Sequence, residues 1–401
     1  MALSRDEVLQ LDAEDPLAAF RERFVITDPD RLYLDGNSLG RLPKGTRARL
    51  QRIVDEWGEQ LVGGWHDWID APTRTGDALA EVLGAPPGTV LVTDSTTVNL
   101  YKLVNAILDA DPSLTTLVTD RDNFPTDRYV LEGIARARGL ALELFDADPV
   151  LGPQPDDVPD GLVVLSHVNY RSGALADLRA FDGTVIWDLS HSAGALPVDL
   201  EANGVRYAVG CTYKYLNAGP GAPGYLYVRD PDALVSPIQG WFGQAQQFAM
   251  ERPYDPAPGI TRFLAGTPPI LVLAAVEEGV RITAEAGIEA LRQKSIAQTE
   301  LLIALHDEWL APLGFQLGTP RDPRLRGSHV SLRHPGSWPI CKALIEHGDV
   351  VPDFRGPDCI RLGIAPLYTR YVDVYDAVQR LRDLVARGVH HEVDATLSRV
   401  T

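Results

Sequence analysis

The stretch Gly210–Val228, GCTYKYLNAGPGAPGYLYV, places a single lysine, Lys214, between two tyrosines and ahead of a run of turn-forming residues. A short β-rich segment follows the turn formers. A lysine that only confers solubility needs no such surroundings, whereas a lysine with a chemical role has its pKa and geometry set by burial and neighbours. The stretch therefore makes Lys214 a candidate reactive residue.

Short apolar strands alternate with helical segments before this stretch. The helices are STTVNLYKLVNAIL, capped by Ser or Thr, and PTDRYVLEGIARARG, which ends at Gly139. The predicted strands are GTVLVTD, TTLVTD, LALELFD, GLVVLSHV and GTVIWDLSHS. This alternation predicts an α/β fold, a three-layer sandwich with a mainly parallel sheet covered on both faces. Such sheets bind ligands just beyond the carboxyl ends of their strands.

The ends of the chain differ from this middle part. SRDEVLQLDAEDPLAAFRERF, residues 4–24, predicts one amphipathic helix, and the region after residue 267 is mostly long helices. From about Gly314 the pattern becomes that of a smaller α+β domain. We expect three parts: an N-terminal segment, 1–44, that packs with the small domain, a large cofactor-binding domain, 45–275, and the small domain, 276–401.

Composition excludes several classes of function. The 401 residues carry a formal net charge of −18 with no basic run, which disfavours nucleic acid and anionic membranes as partners. The three cysteines form no CxxC pair and their odd count argues against a disulfide framework, so a reducing compartment fits. No metal site is expected. The N-terminus is too charged for a signal peptide and no apolar run is long enough to span a bilayer, so we expect a cytoplasmic protein.

Two strand ends carry candidate ligand-binding residues. Thr96 and Thr97 lie where a strand gives way to a helix, and the backbone N–H groups and hydroxyls there can hold a phosphate. Taken alone, an ordinary helix cap explains them better. Asp188 ends an apolar strand, with His191 in the loop beyond, and a carboxylate there needs a partner such as a pyridinium N–H. A structural carboxylate is the alternative.

The conjunction is more specific than its parts. Three features follow one another along a predicted parallel sheet: a phosphate site, then Asp188 at a strand end, then Lys214 between its two tyrosines. A lysine amine in that position can condense with the aldehyde of a cofactor. This order is typical of a pyridoxal 5′-phosphate enzyme of the aspartate aminotransferase fold, known as fold type I.

The chain resembles the kynureninase family over residues 33 to about 378. The motifs that carry the resemblance occur in the family's order: YLDGNSLGRLPKG, TTVNLYK, NFPTDRY, SHVNYRSG, WDLSHSAGALPVDL, TYKYLNAGPGAPGYLYV, GWFGQ, GTPPIL and IRLGIAPLYTRYVDVYDAV. DGNSLG, YKYLNAGPG and GWFG are the most specific of them. The fold and the reactive lysine are shared with cysteine desulfurases and other relatives of class V aminotransferases.

The resemblance implies pyridoxal 5′-phosphate as cofactor and hydrolytic cleavage of the Cβ–Cγ bond of L-kynurenine or its 3-hydroxy form. Lys214 and Tyr213 would be the catalytic pair. The implied cofactor-binding residues are Thr96, Thr97, Phe124, Asp127, Ser166, Asp188, His191, Tyr213 and Lys214, with Trp241 and Thr267 supplied to the phosphate by the second subunit of a homodimer. The implied substrate-binding residues are Arg361, as a clamp for the α-carboxylate, and Ser38, Asn37, Trp65 and His66.

Several of these residues have simpler explanations. One of Trp65 and Trp68 is expected only to pack, and Arg361 could pair with Asp358 or Asp353 on the surface. Thr267 stands where many family members have Asn, although a hydroxyl can still donate a hydrogen bond.

Two other functions remain open at this stage. A cysteine desulfurase would need a mobile nucleophilic cysteine, and Cys359 lies near Arg361 in sequence. A cofactor-free descendant of the fold would serve as a binding or regulatory protein. The sequence also leaves open whether the substrate ring is hydroxylated, and whether the role is tryptophan catabolism, NAD supply or secondary metabolism.

Overall fold

The computed structural model describes residues 3–250, 253–394 and 396 of the chain. Its helices are α1 Arg5–Ala13, α2 Lys44–Gln60, α3 Trp65–Trp68, α4 Ala71–Leu83, α5 Thr96–Ala110, α6 Pro125–Arg138, α7 Ile270–Ala286, α8 Ile288–Leu305, α9 Ser337–His347 and α10 Tyr371–Ala386. Its strands are β1 Leu32–Tyr33, β2 Val90–Val92, β3 Thr116–Asp120, β4 Ala141–Phe145, β5 Leu162–Ser166, β6 Thr184–Asp188, β7 Tyr207–Gly210, β8 Tyr225–Val228, β9 Gln316–Leu317, β10 His329–Arg333, β11 Val350–Val351, β12 Asp353–Arg355 and β13 Cys359–Gly363.

A seven-stranded sheet in the order β2-β8-β7-β6-β5-β3-β4 forms the centre of the molecule. Strands β7, β6, β5, β3 and β4 pair in parallel, whereas β8 is antiparallel to both of its neighbours. Apolar residues from both faces of the sheet enter two separate cores with the flanking helices. The predicted α/β sandwich with a mainly parallel sheet is confirmed.

The direction of β8 matters for the site. Strand β7 ends at the carboxyl edge of the sheet, and β8 starts beside it at the same edge. Residues 211–224 therefore form a hairpin connection over that edge, and this connection carries Lys214.

A second sheet, with the order β12-β13-β10-β9, is antiparallel and has two unlike faces. Because side chains alternate along a strand, Val330, Leu332, Ile360 and Leu362 face one way, into a core shared with α9 and α10. Arg361, paired in register with Ser331 and with Asp353, faces the other way. We call this second surface the polar face of the small sheet.

The N-terminal helix is shorter than predicted. Helix α1 ends at Ala13, and a separate 3₁₀ helix covers Ala18–Arg23. Pro16 lies between them, and a proline lacks the N–H that a continuing helix needs and disfavours a helical residue before it. Strand β1 pairs with β11, and the Arg5 Nε lies 2.8 Å from the Asp376 Oδ1.

The predicted division into three parts stays a prediction. Its second boundary, between residues 275 and 276, lies inside helix α7, which packs on α2 and α4. No helix in the described part of the chain combines the length and the apolar character that crossing a membrane requires.

Helix α7 approaches the lysine connection without an intervening side chain. A Cβ atom added at Gly279 would lie 1.8 Å from the backbone oxygen of Leu216, so only glycine fits at this contact. Gly133 in α6 is a matched contrast, because a Cβ there meets no atom within 4 Å.

We therefore expect Gly279→Ala to destabilise the fold by about 1–3 kcal/mol, because the added methyl group overpacks the contact. Gly133→Ala should stabilise it by about 0.5–1 kcal/mol, because alanine restricts the unfolded chain. Chemical denaturation of the two variants checks both signs. Equal effects from the two changes would contradict the close approach.

Candidate active site

Nine of the eleven predicted cofactor-binding residues line one cavity at the carboxyl edge of the large sheet. Asp188 ends β6, Ser166 ends β5, and Lys214 follows β7 on the hairpin connection. The nine are Thr96, Thr97, Phe124, Asp127, Ser166, Asp188, His191, Tyr213 and Lys214. Parallel strands that end at one edge bring together residues that are far apart in sequence.

The Lys214 amine lies in this cavity on a half-buried side chain, close to an imidazole and an aromatic ring. Its Nζ lies 3.3 Å from Nε2 and 3.5 Å from Nδ1 of His191, and 5.8 Å from the centre of the Phe124 ring. Burial lowers the pKa of Lys214. The charges of Cys211 and Asp188 oppose that shift, and the charge of Arg361 adds to it. Burial, and then the charge of Lys214, lower the pKa of His191 well below its usual value. A neutral lysine amine is a competent nucleophile and base.

One end of the cavity is suited to an anion. Helix α5 begins at Thr96, after Ser95, whose hydroxyl caps the helix by accepting the backbone N–H of Val98 at 3.3 Å. Helix N-termini present unpaired N–H groups and a partial positive charge. Gly224 forms the opposite wall: a Cβ there would lie 2.9 Å from the backbone nitrogen of Thr96. An added side chain would thus crowd the cradle.

Two carboxylates lie at the other end. Burial, together with the charge of Asp188, raises the pKa of Asp127 well above its usual value. The Asp127 Oδ1 is buried without a hydrogen-bond partner, and the Asp188 Oδ1 accepts the backbone N–H of Ser190 at 2.8 Å. The raised pKa of Asp127 favours its protonated form, so Asp188 is our candidate for holding a protonated ring nitrogen.

Asn123 orients several of these groups, and the sequence analysis missed it. Its Nδ2 donates to the Asp127 Oδ2 at 3.4 Å, and its Oδ1 accepts the hydroxyl of Ser166 at 2.7 Å. Tyr170 is a second residue that was missed. Its ring packs edge-on against Phe124 at 5.4 Å between centroids. Both residues belong to motifs that carry the family resemblance, NFPTDRY and SHVNYRSG. Membership of these motifs is the signal in the sequence that marks them as site residues.

Arg361 is buried on the polar face of the small sheet, and of its two alternative partners it pairs with Asp353, inside the protein rather than on the surface. Its guanidinium pairs with the equally buried Asp353, whose other oxygen lies 2.8 Å from Arg355. Its Nη1 donates to the backbone oxygen of Tyr170 at 2.5 Å, and its Nε is buried without a partner. Burial lowers the pKa of Arg361 to about 10. The other proposed partner, Asp358, binds Arg333 instead.

The N-terminal segment supplies two of the predicted substrate residues. The Ser38 hydroxyl accepts from Nη2 of Arg361 at 3.2 Å and donates to Asp353 at 3.2 Å. Asn37 is fully buried, and neither its Oδ1 nor its Nδ2 has a hydrogen-bond partner. Both residues thus lie beside the Arg361 group rather than in the wall of the lysine cavity.

Four further predicted residues lie neither in the lysine cavity nor beside Arg361 within one chain. Trp65 packs against Trp68 and Phe242, with 5.9 Å between ring centres in each pair, and His66 is exposed. Trp68, rather than Trp65, is the buried member of the pair. Trp241 and Thr267, both assigned to a second subunit, are exposed.

The cysteines do not fit a desulfurase. Cys359 is buried in β13, which pairs with strands on both sides, and burial raises the pKa of its thiol. Cys211 is likewise buried, and burial raises its pKa as well. A nucleophilic cysteine requires an exposed thiolate on a mobile segment, which neither residue provides.

The cavity fits pyridoxal 5′-phosphate. The unpartnered, buried Oδ1 of Asp127 and the crowded cradle at Gly224 mark the two ends of a site for a molecule with an anionic group and a ring nitrogen. Between these ends lie an aromatic ring, Phe124, and an amine, that of Lys214. The four features match the phosphate, pyridine nitrogen, ring face and aldehyde of that cofactor.

Comparison with known proteins defines the class first. Residues 66–316 match the model for class V aminotransferases. Among solved structures, a cysteine desulfurase from Thermococcus onnurineus superposes with a TM-score of 0.76 over 96% of this chain and 100% of its own, at 19% identity. At that identity the likeness shows the fold alone. The predicted fold type I architecture, with a small C-terminal domain, is confirmed.

The family follows from closer relatives. Residues 291–381 match the kynureninase C-terminal domain. Kynureninases from Pseudomonas fluorescens and Burkholderia pseudomallei are 43% and 42% identical to this chain, covering 96% and 95% of it and the same shares of their own lengths. The chain belongs to the kynureninase family. The predicted cofactor and the predicted activity, hydrolysis of a carbon–carbon bond, are confirmed with it.

The unlike carboxylates give a testable contrast. We expect Asp188→Asn to lower turnover about 100-fold or more, because a neutral amide no longer stabilises a protonated ring nitrogen. Asp127→Asn should cost much less, because an amide resembles a protonated carboxyl group in shape and charge. Steady-state kinetics and the absorbance of the bound cofactor measure both variants. A larger loss for Asp127→Asn would show that the charges are assigned to the wrong residues.

Proposed function

We propose that Lys214 and Tyr213 carry out the hydrolysis of L-kynurenine or 3-hydroxy-L-kynurenine to L-alanine and anthranilate or 3-hydroxyanthranilate. The observation that carries the proposal is the position of Lys214 in one cavity with an anion site, an aromatic ring and two carboxylates. We assign Thr96 and Thr97 to the cofactor phosphate, together with Ser166 and Tyr213. Phe124 packs on the ring, Asp127 and Asp188 serve its nitrogen, and His191 serves its phenolic oxygen.

Bound pyridoxal 5′-phosphate supplies the electron sink that no side chain provides. Lys214 removes the proton from the substrate Cα, since its lowered pKa favours the neutral amine. One water molecule is consumed: its oxygen joins the γ-carbonyl carbon, which leaves as the aryl carboxylate, and Cβ receives a proton. We assign that proton to Lys214, in its protonated form, and Tyr213, which are adjacent in the chain.

Arg361 binds the substrate α-carboxylate in this proposal. Its Nε has no hydrogen-bond partner, while Asp353, Ser38 and the oxygen of Tyr170 fix the other two nitrogens. A guanidinium held in this way loses little freedom when it binds an anion. Asn37, Trp65 and His66 are proposed, with Ser38, to line the space for the aryl group.

We further propose a homodimer that shares its two active sites. An apolar surface, lined by Trp57, Leu61, Val62, Trp65 and residues 268–272, supports this, because 81% of Val62 and 63% of Leu61 are exposed. Thr267 comes immediately before residues 268–272 of this surface in the sequence. In the proposed dimer, Thr267 and Trp241 reach the phosphate bound in the other subunit. The three cysteines, all free and buried, are consistent with a cytoplasmic enzyme that acts on a small molecule.

The first experiment compares substrates on protein loaded with pyridoxal 5′-phosphate. L-Kynurenine, 3-hydroxy-L-kynurenine and L-cysteine are supplied in parallel, and we expect alanine and a fluorescent aryl acid from one or both kynurenines. Lys214→Ala should form no product, because the base is absent. The ratio of kcat/KM for the two kynurenines identifies the preferred ring.

Cys359→Ala serves as the control in the same assay. It should keep the full rate, since the buried thiol takes no part. Sulfide from cysteine, without an aryl product, would overturn the proposed reaction.

The shared site is tested by a charge on the apolar surface. We expect Leu61→Asp with Val62→Asp to give a monomer with weakened cofactor affinity, because Thr267 and Trp241 no longer reach the other site. Leu151→Asp, at a leucine that is 46% exposed in the loop 148–161, is the matched control and should stay dimeric. Sedimentation and cofactor titration measure both. A monomer with normal affinity would contradict the sharing of sites.

A further inference from the structure

Lys102 is a buried lysine that the proposed reaction does not use. It lies in α5 with its side chain 0% exposed, and its Nζ is 2.7 Å from the Asp94 Oδ2 and 2.8 Å from the backbone oxygen of Phe263. Burial lowers the pKa of Lys102, and the charge of Asp94 opposes that shift. Only Lys102 is fully buried in this pair, since 28% of the Asp94 side chain is exposed. The cost of burying the lysine offsets much of the gain from pairing, so a role in geometry explains the pair better than a role in stability.

The first contact fixes the turn that leads into the phosphate cradle. Asp94 has a φ of 47°, a left-handed conformation that is costly for a residue with a side chain. Its carbonyl accepts the backbone N–H of Gly224 at 2.7 Å, and Ser95, the cap of α5, follows it directly. Asp94 therefore joins the two walls of the cradle, Gly224 and the start of α5.

The second contact holds the segment that leads away from the chain's own site. Phe263 ends the 3₁₀ helix Gly259–Phe263 and lies four residues before Thr267. Thr267 is the residue proposed to reach the phosphate of the partner subunit. Lys102 thus contacts Asp94, which leads into the phosphate cradle, and Phe263, which begins the segment that leads to Thr267.

We propose that Lys102 is a positioning residue for the phosphate of the cofactor, acting through the turn at Asp94 and the carbonyl of Phe263. This inference rests on the proposed phosphate site at Thr96 and Thr97. Lys102 touches neither cofactor nor substrate in the proposal. It sets where the N–H groups and hydroxyls at the start of α5 lie.

A comparison of two cofactor forms separates positioning from general stability. Pyridoxal 5′-phosphate and pyridoxal differ only by the phosphate, so the ratio of their dissociation constants reports on the cradle. We expect Lys102→Met to weaken binding of the phosphorylated form about 10-fold or more and to leave pyridoxal binding nearly unchanged. Equilibrium dialysis gives both constants, and thermal unfolding of the apo form shows whether the variant folds.

Lys294 offers a matched control. It is also buried, its Nζ lies 2.7 Å from an oxygen of Asp15, and it donates to the backbone oxygen of Pro366 at 2.7 Å. Lys294→Met removes the same kind of group away from the cradle, so it should leave the ratio unchanged whatever it does to stability.

If Lys102→Met does not fold, Asp94→Asn is measured in its place, since asparagine tolerates a left-handed backbone while removing the charge. A ratio equal to that of the unmodified protein in the folded variant, or a similar change in Lys294→Met, would overturn the inference. Failure of the unmodified protein to prefer the phosphorylated form would instead overturn the proposed phosphate site.

Discussion

The position of the backbone from Tyr213 to Leu216 is the constraint on which the site depends. The backbone N–H of Gly40 donates to the oxygen of Tyr213 at 2.8 Å, and a Cβ at Gly40 would lie 2.3 Å from the oxygen of Lys214. Helix α7 presses from another side at Gly279. The N-terminal segment, the lysine connection and α7 therefore meet through backbone atoms, which leave no side chain to adjust. Such contacts tolerate little displacement, so the backbone from which the Lys214 side chain extends is held in one place.

The small sheet contributes to chemistry through simple alternation. Its apolar face builds a core with α9 and α10, so its polar face must lie on the other side. That face brings Arg361 and Asp353 toward the large sheet, where the charge of Arg361 is felt at Lys214. The same backbone register thus serves stability on one face and substrate recognition on the other. A shift of one residue in the pairing of β10 with β13 would exchange the two.

The sequence predicted the large sheet and the residues at its carboxyl edge well, because strand ends and helix starts are local signals. The positions of strand ends and helix starts were enough to place Asp188, Lys214 and Thr96 together. What the sequence left open involves partners distant in sequence. The pairing of Arg361 with Asp353 inside the protein depends on how β12 and β13 pair, and the exposure of His66 depends on how α3 packs. The break after α1 does have a local signal, Pro16, but the prediction of one continuous helix did not take it into account. Lys102 gave no signal, because nothing nearby in sequence shows that Phe263 lies beside it.

The antiparallel strand β8 has a consequence for how the site can change. The connection that carries Lys214 starts and ends on adjacent strands, whose separation is fixed at about 4.8 Å by their hydrogen bonds. Its ends are closed by the sheet itself, so little chain entropy is spent in forming it. Of the other loops around the cavity, those after β2 and β3 lead into helices α5 and α6, whereas those after β5 and β6 run on to the next strand. Insertions there can reshape the substrate wall while the lysine stays in place, which separates the part of the site that does chemistry from the part that can diverge.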